Sequence, residues 1–284
     1  MMKPATPVAS AILDDFESRP GSVTSLSRTV LGAFIRQLDG WTSIAHFTEL
    51  MAALGISPQS TRTAVNRLKT KGILESENRD GRVGYRLTPD AADMLTRGYA
   101  RVFDFRQMHT DDPWRVLAFS IPESGRADRT RLRRRLTGIG CGTLNAGMLI
   151  CPDYMTEEVA AIVTALELDD FVTTFRATDI STVYGLATAI GQWWDLDALR
   201  ARHVDFIEHH GTTLPPQPST TADSFARFVG MLDEWRVIPL LDPGLPADLL
   251  PDNWPGKESV RVFDTIKAQL LEPSREWVKA IMSS

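Results

Sequence analysis

The chain has 284 residues, of which 43% are hydrophobic and 24% are charged. This composition is ordinary for a soluble globular protein, and the length suggests two or three domains rather than one small core. The net charge of −5 argues against a protein whose whole surface binds nucleic acid. Because no apolar run approaches the roughly 18 residues of a membrane span, we expect no membrane contact.

The first 23 residues are predicted to form a flexible leader. They are polar and partly acidic, and they lack the basic-then-apolar order of a signal peptide. We therefore expect a cytoplasmic protein.

Residues 24–108 have the pattern of a winged helix-turn-helix domain. Apolar residues recur at helical spacing up to Asp39-Gly40, and Ser57-Pro58 is a typical helix start. An Asp-Gly pair between two extended segments is typical of a β-hairpin. The predicted elements are helices over residues 26–38, 44–54 and 57–71, strands over 73–77 and 84–88 joined by a turn at 78–81, and a helix over 89–105.

The third of these helices has the chemistry of a helix that reads DNA. Residues 57–86 carry seven basic and three acidic side chains, so this segment is positive within a negative chain. On a helical wheel the apolar and polar residues fall on opposite faces. Thr61, Ala64, Val65 and Leu68 form the inner face, whereas Gln59, Thr63, Asn66 and Thr70 form the outer face, flanked by Arg62 and Arg67.

Those outer residue types match the edges of bases in the major groove. Asn and Gln pair with adenine, Arg pairs with guanine, and Thr can contact a thymine methyl group or a phosphate. Basic residues in the predicted hairpin could reach phosphates or the minor groove. The predicted DNA-binding residues are Ser57, Gln59, Ser60, Arg62, Thr63, Asn66, Arg67, Lys69, Arg79, Arg82 and Tyr85.

Residues 109–180 alternate between strand and helix patterns, which predicts a central α+β domain with ferredoxin-like topology. Residues 181–284 are predicted to form a helical C-terminal domain, with a loop near 211–220 and breaks at several prolines. The central elements are expected at 114–121 (strand), 126–137 (helix), 143–150 (strand), 156–166 (helix) and 171–177 (strand).

The residue types that usually carry catalysis or bind metals are not grouped in this chain. Cys141 and Cys151 flank one predicted strand, which would keep the two thiols apart as reduced core residues. His203 and His210 lie on one helix face without a set of carboxylate partners. The sequence has no nucleophile elbow, phosphate-binding loop, dinucleotide fingerprint or zincin motif. We therefore predict no enzyme activity, no cofactor and no metal.

Two further clusters leave alternatives open. The basic run from Arg126 to Arg135 could hold phosphates of a ligand, contact DNA, or form a solvated helix face. Trp193 and Trp194 could line a ligand pocket or anchor a domain junction. The candidate effector-binding residues are Trp114, Arg131, Arg134, Trp193, Trp194 and His203.

Four segments of the chain have the motifs of a known family: LGISPQSTRTAVNRLKTKGIL, DPWRVLAFSIPESGRADRTRLRRRLTGIGCGTLNAGMLICP, WWDLDALRARHVDFI and PLLDPGLPADLLPDNWPGKESVRVFD. They resemble the PaaX family of repressors of phenylacetic acid catabolism over almost the whole chain. The resemblance implies a winged helix, a central Cas2-like domain and a helical C-terminal domain. It also implies a homodimer on palindromic double-stranded operator DNA that is released by an aryl-CoA thioester.

The chain departs from the family pattern in the central domain. Trp114 lacks the neighbouring aromatics that the family often has, and Met148 follows Gly147 where a Trp is common. We therefore expect a repressor of an aromatic catabolic operon whose effector is an acyl-CoA thioester or a related aromatic compound. The alternative is a small-molecule-binding protein or enzyme that uses the winged helix for protein contacts.

Overall fold

The computed structural model describes residues 19–211 and 220–284. The chain is α+β, with an N-terminal helix and strand region, a central antiparallel sheet and a C-terminal helical region. The predicted leader and the predicted loop at 211–220 lie almost entirely outside the described residues. Within the described residues, no helix is both long and apolar enough to cross a bilayer.

The N-terminal region has the element order of a winged helix, as predicted. Ser and Thr hydroxyls cap its helices by accepting the backbone N–H three residues later, which satisfies donors that the helix leaves free. The strand order is β1-β3-β2, and all neighbours are antiparallel. The elements are α1 (Val23–Ala33), β1 (Trp41–Ser43), α2 (Ile44–Ala53), α3 (Pro58–Thr70), β2 (Leu74–Arg79), β3 (Arg82–Leu87) and α4 (Pro89–Phe103).

Two local features differ from the sequence prediction. The first helix ends at Ala33 and continues only as a 3₁₀ turn over Ile35–Leu38. The hairpin turn is two residues rather than four, because Arg79 pairs with Arg82 across Asp80 and Gly81. Both turn residues have positive φ, 52° and 79°, the backbone twist that suits a tight hairpin.

The central region forms a four-stranded antiparallel sheet in the order β5-β6-β4-β7, with the βαββαβ connectivity of a ferredoxin-like fold. Helices α5 and α6 pack on one face of this sheet. The elements are β4 (Trp114–Phe119), α5 (Arg126–Gly138), β5 (Gly142–Asn145), β6 (Met148–Pro152), α6 (Thr156–Ala165) and β7 (Val172–Ala177).

The single strand predicted over residues 143–150 is wrong, because this segment is the β5–β6 hairpin. The Asn145 side chain accepts the Gly147 N–H at 2.8 Å, which reverses the chain in the middle of the apolar run. The hairpin also brings the two cysteines together rather than keeping them apart, since Gly142 pairs with Ile150. Both thiols are free and buried, as predicted, and a hydrogen bond with Cys151 together with burial raises the pKa of Cys141.

The C-terminal region is helical, and its helices share one hydrophobic core with the winged helix. Phe34 of the N-terminal region contacts Phe225 at a ring-centroid distance of 5.3 Å, and Trp235 stacks on Phe263 at 4.6 Å. The predicted helical segment over 181–210 is two helices, separated at Trp194 and Asp195. The elements are α7 (Leu186–Trp193), α8 (Leu196–His210), α9 (Thr221–Trp235), α10 (Val237–Leu241) and α11 (Gly256–Met282).

A buried carboxylate joins the first helix to the C-terminal region. Asp233 on α9 is fully buried and accepts hydrogen bonds from Ser25 Oγ at 2.7 Å, Thr29 Oγ1 at 2.7 Å and the Gly21 N–H at 2.8 Å. Arg236 donates to both Asp233 and Ser25, so the charge is neutralised within the same group. A buried charge is tolerated only when it is paired and hydrogen-bonded in this way.

A second junction connects all three regions through one arginine. The guanidinium of Arg101, on α4, donates to Glu158 at 2.8 Å and to the Ile139 carbonyl at 3.1 Å in the central region. It also donates to the Pro239 carbonyl at 2.7 Å in the C-terminal region. The end of α4 is therefore fixed to both neighbouring regions.

We expect Asp233→Ala to destabilise the protein by about 3–5 kcal/mol, because it removes the buried carboxylate that Arg236 contacts and leaves three donors without their acceptor. Urea unfolding followed by circular dichroism measures the change. The control is Asp264→Ala, which removes an exposed ion pair with Lys267 and should cost about 0–1 kcal/mol. If the two substitutions lower the free energy of unfolding by the same amount, Asp233 has no special role in joining the regions.

Candidate nucleic-acid interface

Helix α3 presents a polar face to solvent and an apolar face to the core. Thr61, Ala64, Val65 and Leu68 are buried, whereas Gln59, Arg62, Thr63, Asn66 and Arg67 are exposed. The helical wheel drawn from the sequence therefore describes the orientation of the helix in the fold. The outer face has the length and polarity of a helix that enters a major groove.

The ends of α3 are held by hydrogen bonds that keep the outer face rigid. The Ser57 hydroxyl accepts the Ser60 N–H at 3.2 Å, and Pro58 occupies the first turn. Near the other end, Lys69 Nζ donates to Ser76 Oγ on β2 at 2.7 Å. Ser57, Ser60 and Lys69 thus position the helix, and Lys69 connects it to the wing.

The β2–β3 hairpin forms a wing with an arginine on each side of its turn. Arg79 donates to Asp39 at 2.7 Å and lies over the Trp41 ring at 5.1 Å. The hydrogen bond to Asp39 raises the pKa of the Arg79 guanidinium. Arg82 is exposed and donates to the Ser284 carbonyl at 3.5 Å. Arg82 is therefore held less firmly than Arg79, which is paired with a carboxylate.

Tyr85 lies between the wing and α3. Its ring meets Phe47 edge-on at 6.4 Å, and its side chain is half-buried. Burial raises the pKa of the Tyr85 hydroxyl, and the nearby charge of Arg62 opposes that rise. The Tyr85 hydroxyl therefore lies within electrostatic range of Arg62.

The candidate effector residues do not gather around one opening. Trp114 and Trp194 are buried and pack together at a centroid distance of 6.1 Å, with Trp193 beside them. Trp194 Nε1 donates to the Gly140 carbonyl at 2.8 Å. These contacts favour the domain-junction interpretation of the tryptophan pair. Arg131 pairs with Asp128 on the exposed helix α5, where Arg134 also lies.

His203 is buried in a hydrogen-bonded chain rather than exposed at a pocket. Its Nδ1 lies 2.6 Å from Ser259 Oγ and its Nε2 lies 2.8 Å from Asp242 Oδ2. All three side chains are buried, so they hold α8 to the start of α11. His209 and His210 instead both contact Glu234. Among residues 19–211 and 220–284, no group of three His, Cys, Asp or Glu side chains is placed to hold a metal ion.

Three adjoining cavities form a groove where the three regions meet. Their volumes are about 230, 260 and 180 Å³. The third cavity joins the other two, because it shares Phe105 with the first and Gln107 and Trp254 with the second. We call this feature the junction groove. Its lining includes Phe105, Gln107, Leu250, Trp254 and Lys257. None of the six candidate effector residues lines it.

The comparisons with known proteins cover most of the chain and agree with one another. Three family models match: PaaX-like protein over residues 22–91, PaaX protein central Cas2-like domain over 107–186, and PaaX-like protein C-terminal domain over 194–280. The chain belongs to the PaaX family. The transcriptional repressor PaaX of Escherichia coli (strain K12) is 24% identical over 245 residues, which cover 84% of this chain and 77% of that protein.

A solved structure has the same fold. The uncharacterized protein Rv0674 from Mycobacterium tuberculosis matches 88% of this PaaX-family chain and 97% of its own, with a TM-score of 0.54 and 23% sequence identity. At this identity the likeness shows a common fold.

The sequence prediction missed the residues that support the interface from behind. Strand β1 is only three residues long and pairs with β3, so it carries no periodic signal. A side chain at Gly84 would place its Cβ 2.4 Å from the Thr42 carbonyl oxygen and 2.7 Å from the Trp41 ring. A glycine inside an otherwise ordinary strand is the one signal in the sequence for this close approach.

We expect Gly84→Ala to separate β1 from β3 and to destabilise the wing by about 1–3 kcal/mol, as overpacking generally does. Gly98→Ala on α4 is the matched control, because its Cβ meets nothing within 4 Å and alanine favours a helix by about 0.5–1 kcal/mol. Thermal unfolding of both variants checks the prediction. If Gly84→Ala is as stable as Gly98→Ala, β1 does not brace the wing.

Proposed function

We propose that this PaaX-family protein is a DNA-binding transcriptional repressor that uses α3 as its recognition helix. The observation that carries the proposal is the outer face of α3, where Arg62, Asn66 and Arg67 are exposed on a helix whose other face is buried in the core. The name of the Escherichia coli relative, a transcriptional repressor, supports the same function.

The proposed contacts divide into base readers and phosphate holders. Arg62, Asn66 and Gln59 have the side-chain types that distinguish base pairs in the major groove. Arg82 on the wing, together with Thr63 and Arg67, would contact phosphates and fix the position of the helix. Lys69 and Arg79, which the fold already holds through Ser76 and Asp39, would add positive charge near the backbone.

Repression is proposed to end when an aromatic effector binds. By resemblance to the family, we propose a homodimer on a palindromic operator of an aromatic catabolic operon, released by an acyl-CoA thioester or a related aromatic compound. Such an effector changes DNA affinity only if it binds more tightly to a conformation that fits the operator less well.

We propose the junction groove as the effector site, in preference to the tryptophan pair. Trp254 and Leu250 give it a flat apolar wall, and Lys257 lies exposed at its rim. An aromatic ring complements that apolar wall, and an anionic group on the ligand would have to lie at Lys257, away from Asp242, Asp248 and Asp252, which line the same cavities. The groove lies beside the end of α4, the helix that follows the wing. A ligand in the groove would therefore contact α4 directly.

The double substitution Arg62→Ala and Asn66→Ala should weaken binding to upstream intergenic DNA by about 30-fold or more, since it removes two base contacts that contribute about 1–3 kcal/mol each. Fluorescence anisotropy at two salt concentrations measures the affinity and its salt dependence. Arg261→Ala, an exposed arginine paired with Glu258 on α11, is the matched control.

Unchanged affinity in the double variant would contradict the assignment of α3. A wild-type protein whose DNA affinity hardly depends on salt would contradict the function itself, because phosphate contacts release counterions. That result would favour the alternative in which the winged helix makes protein contacts.

A thermal-shift screen with phenylacetyl-CoA, benzoyl-CoA and the free aromatic acids tests the effector class. A ligand present at 100 times its Kd should stabilise the wild type by about 2.7 kcal/mol. We expect Lys257→Ala to reduce the shift for anionic ligands by removing a cation from the rim of the groove. Lys279→Ala, beside a separate cavity near Gln37, is the control, and loss of the shift in that variant alone would place the ligand there instead.

A further inference from the structure

The arginine before the turn of the wing is folded back from the tip. Arg79 pairs with Arg82 across the two-residue turn, so its backbone lies at the end of the hairpin. Its guanidinium, however, lies over the Trp41 ring at 5.1 Å and donates to Asp39 at 2.7 Å. Asp39 lies near the other end of β3, where its carbonyl accepts a hydrogen bond from Arg86 at 3.2 Å. The charge of Arg79 is therefore directed away from the tip.

The surrounding residues keep Arg79 in this position. The Trp41 ring lies against the hairpin at Gly84, where a Cβ would come within 2.7 Å of the ring. A cation above an aromatic ring is attracted by the negative face of the ring. Glu77, on the same face of β2 as Arg79, adds a second carboxylate at 3.3 Å from the guanidinium. Two carboxylates and one aromatic ring thus hold a single arginine.

The wing has no net positive charge to offer DNA. Strands β2 and β3 and their turn carry three basic and three acidic side chains, whereas α3 carries three basic and none acidic. Asp39 adds a further negative charge beside the hairpin. Affinity that is independent of sequence comes from cations that replace counterions at phosphates. An arginine that is paired with a carboxylate replaces no counterion until that carboxylate is displaced.

We propose that Asp39 competes with DNA phosphates for Arg79 and thereby lowers the affinity of this protein for DNA of any sequence. Carboxylate and phosphate both offer anionic oxygens that accept charge-assisted hydrogen bonds from a guanidinium. Asp39 is 66% exposed and Arg79 is 33% exposed, so their ion pair is weak enough for a phosphate to replace it. The cost of breaking the pair then reduces the binding free energy of every complex in which Arg79 contacts a phosphate.

This inference rests on the proposed function, because it requires DNA to bind at α3 and the wing, but the two fail in different ways. A wild type without salt-dependent DNA affinity would contradict both. A wild type that binds DNA, together with a folded Asp39→Asn variant that binds no more tightly, would contradict only the competition by Asp39.

Fluorescence anisotropy with the full chain and a labelled duplex of scrambled sequence tests the competition. We expect Asp39→Asn to bind about two- to fivefold more tightly than the wild type, since an exposed ion pair no longer has to be broken. The dependence of log K on log salt should become steeper by up to about 0.9, the contribution of one phosphate contact.

The substitution at residue 39 can be made without strain. The backbone there has a φ of 73°, which Asn tolerates better than most residues. Asp39→Gly, which this φ suits as well, removes the acceptor altogether and is the second variant, with an equal or larger gain expected. Circular dichroism shows whether each variant is folded.

Two comparisons separate a local effect from a general change of charge. Glu258→Gln is the matched control, because it makes the same change of charge beside Arg261 on α11, and it should bind DNA as the wild type does. In a protein that already carries Arg79→Ala, most of the gain from Asp39→Asn should disappear. The proposal is overturned if Asp39→Asn binds no more tightly than the wild type, if Glu258→Gln gains as much, or if the gain is mostly retained without Arg79.

Discussion

The burial of Asp233 is the constraint on which the arrangement of this protein depends. A carboxylate without water must find its hydrogen bonds inside the protein, and here they come from the first helix of the winged helix and from Arg236. Ser25 and Thr29 can reach Asp233 only when α1 lies against α9. The same contact brings Phe34 onto Phe225 and Phe228. Polar and apolar contacts therefore specify one position of the winged helix on the C-terminal helices.

The packing of the winged helix against the other two regions limits how a ligand could change DNA affinity. The winged helix is packed into a common core, and Arg101 fixes the end of α4 to both other regions. A ligand in the junction groove would contact the segment that connects these anchors. Its effect would then be a movement of packed regions against each other rather than the release of a tethered domain.

The sequence predicts the parts of this structure whose signals are local. The helices that start near residues 44, 57 and 89, the Asp-Gly hairpin and the two faces of α3 all follow from neighbouring residues, and the structure has each of them. The β5–β6 hairpin was missed because an apolar run around Asn145 looks like one strand until the turn is considered. The shared core was missed because each helix shows only that it has an apolar face, not which partner covers that face.

The candidate DNA-binding residues could be predicted from local patterns, whereas the candidate effector residues could not. The exposed residues of α3 could be selected from the sequence, because an amphipathic helix identifies its own outer face. The burial of Trp194 and His203 could not be predicted. Their hydrogen-bond partners, the Gly140 carbonyl and the Asp242 carboxylate, are about 40 or more residues away in the sequence. The junction groove is lined by segments more than a hundred residues apart, so no local pattern in the sequence predicts it.

The common core also has a consequence for biosynthesis. Residues of the winged helix share a core with Phe263, Leu270 and Val278 of α11, which a ribosome makes more than 150 residues later. The N-terminal region therefore cannot complete its hydrophobic core while the chain is still being synthesised. A nascent or prematurely ended chain would expose the surface that α9 and α11 normally cover, and exposed surface of this kind is what chaperones bind. Only a chain that contains both α9 and α11 would bury this core.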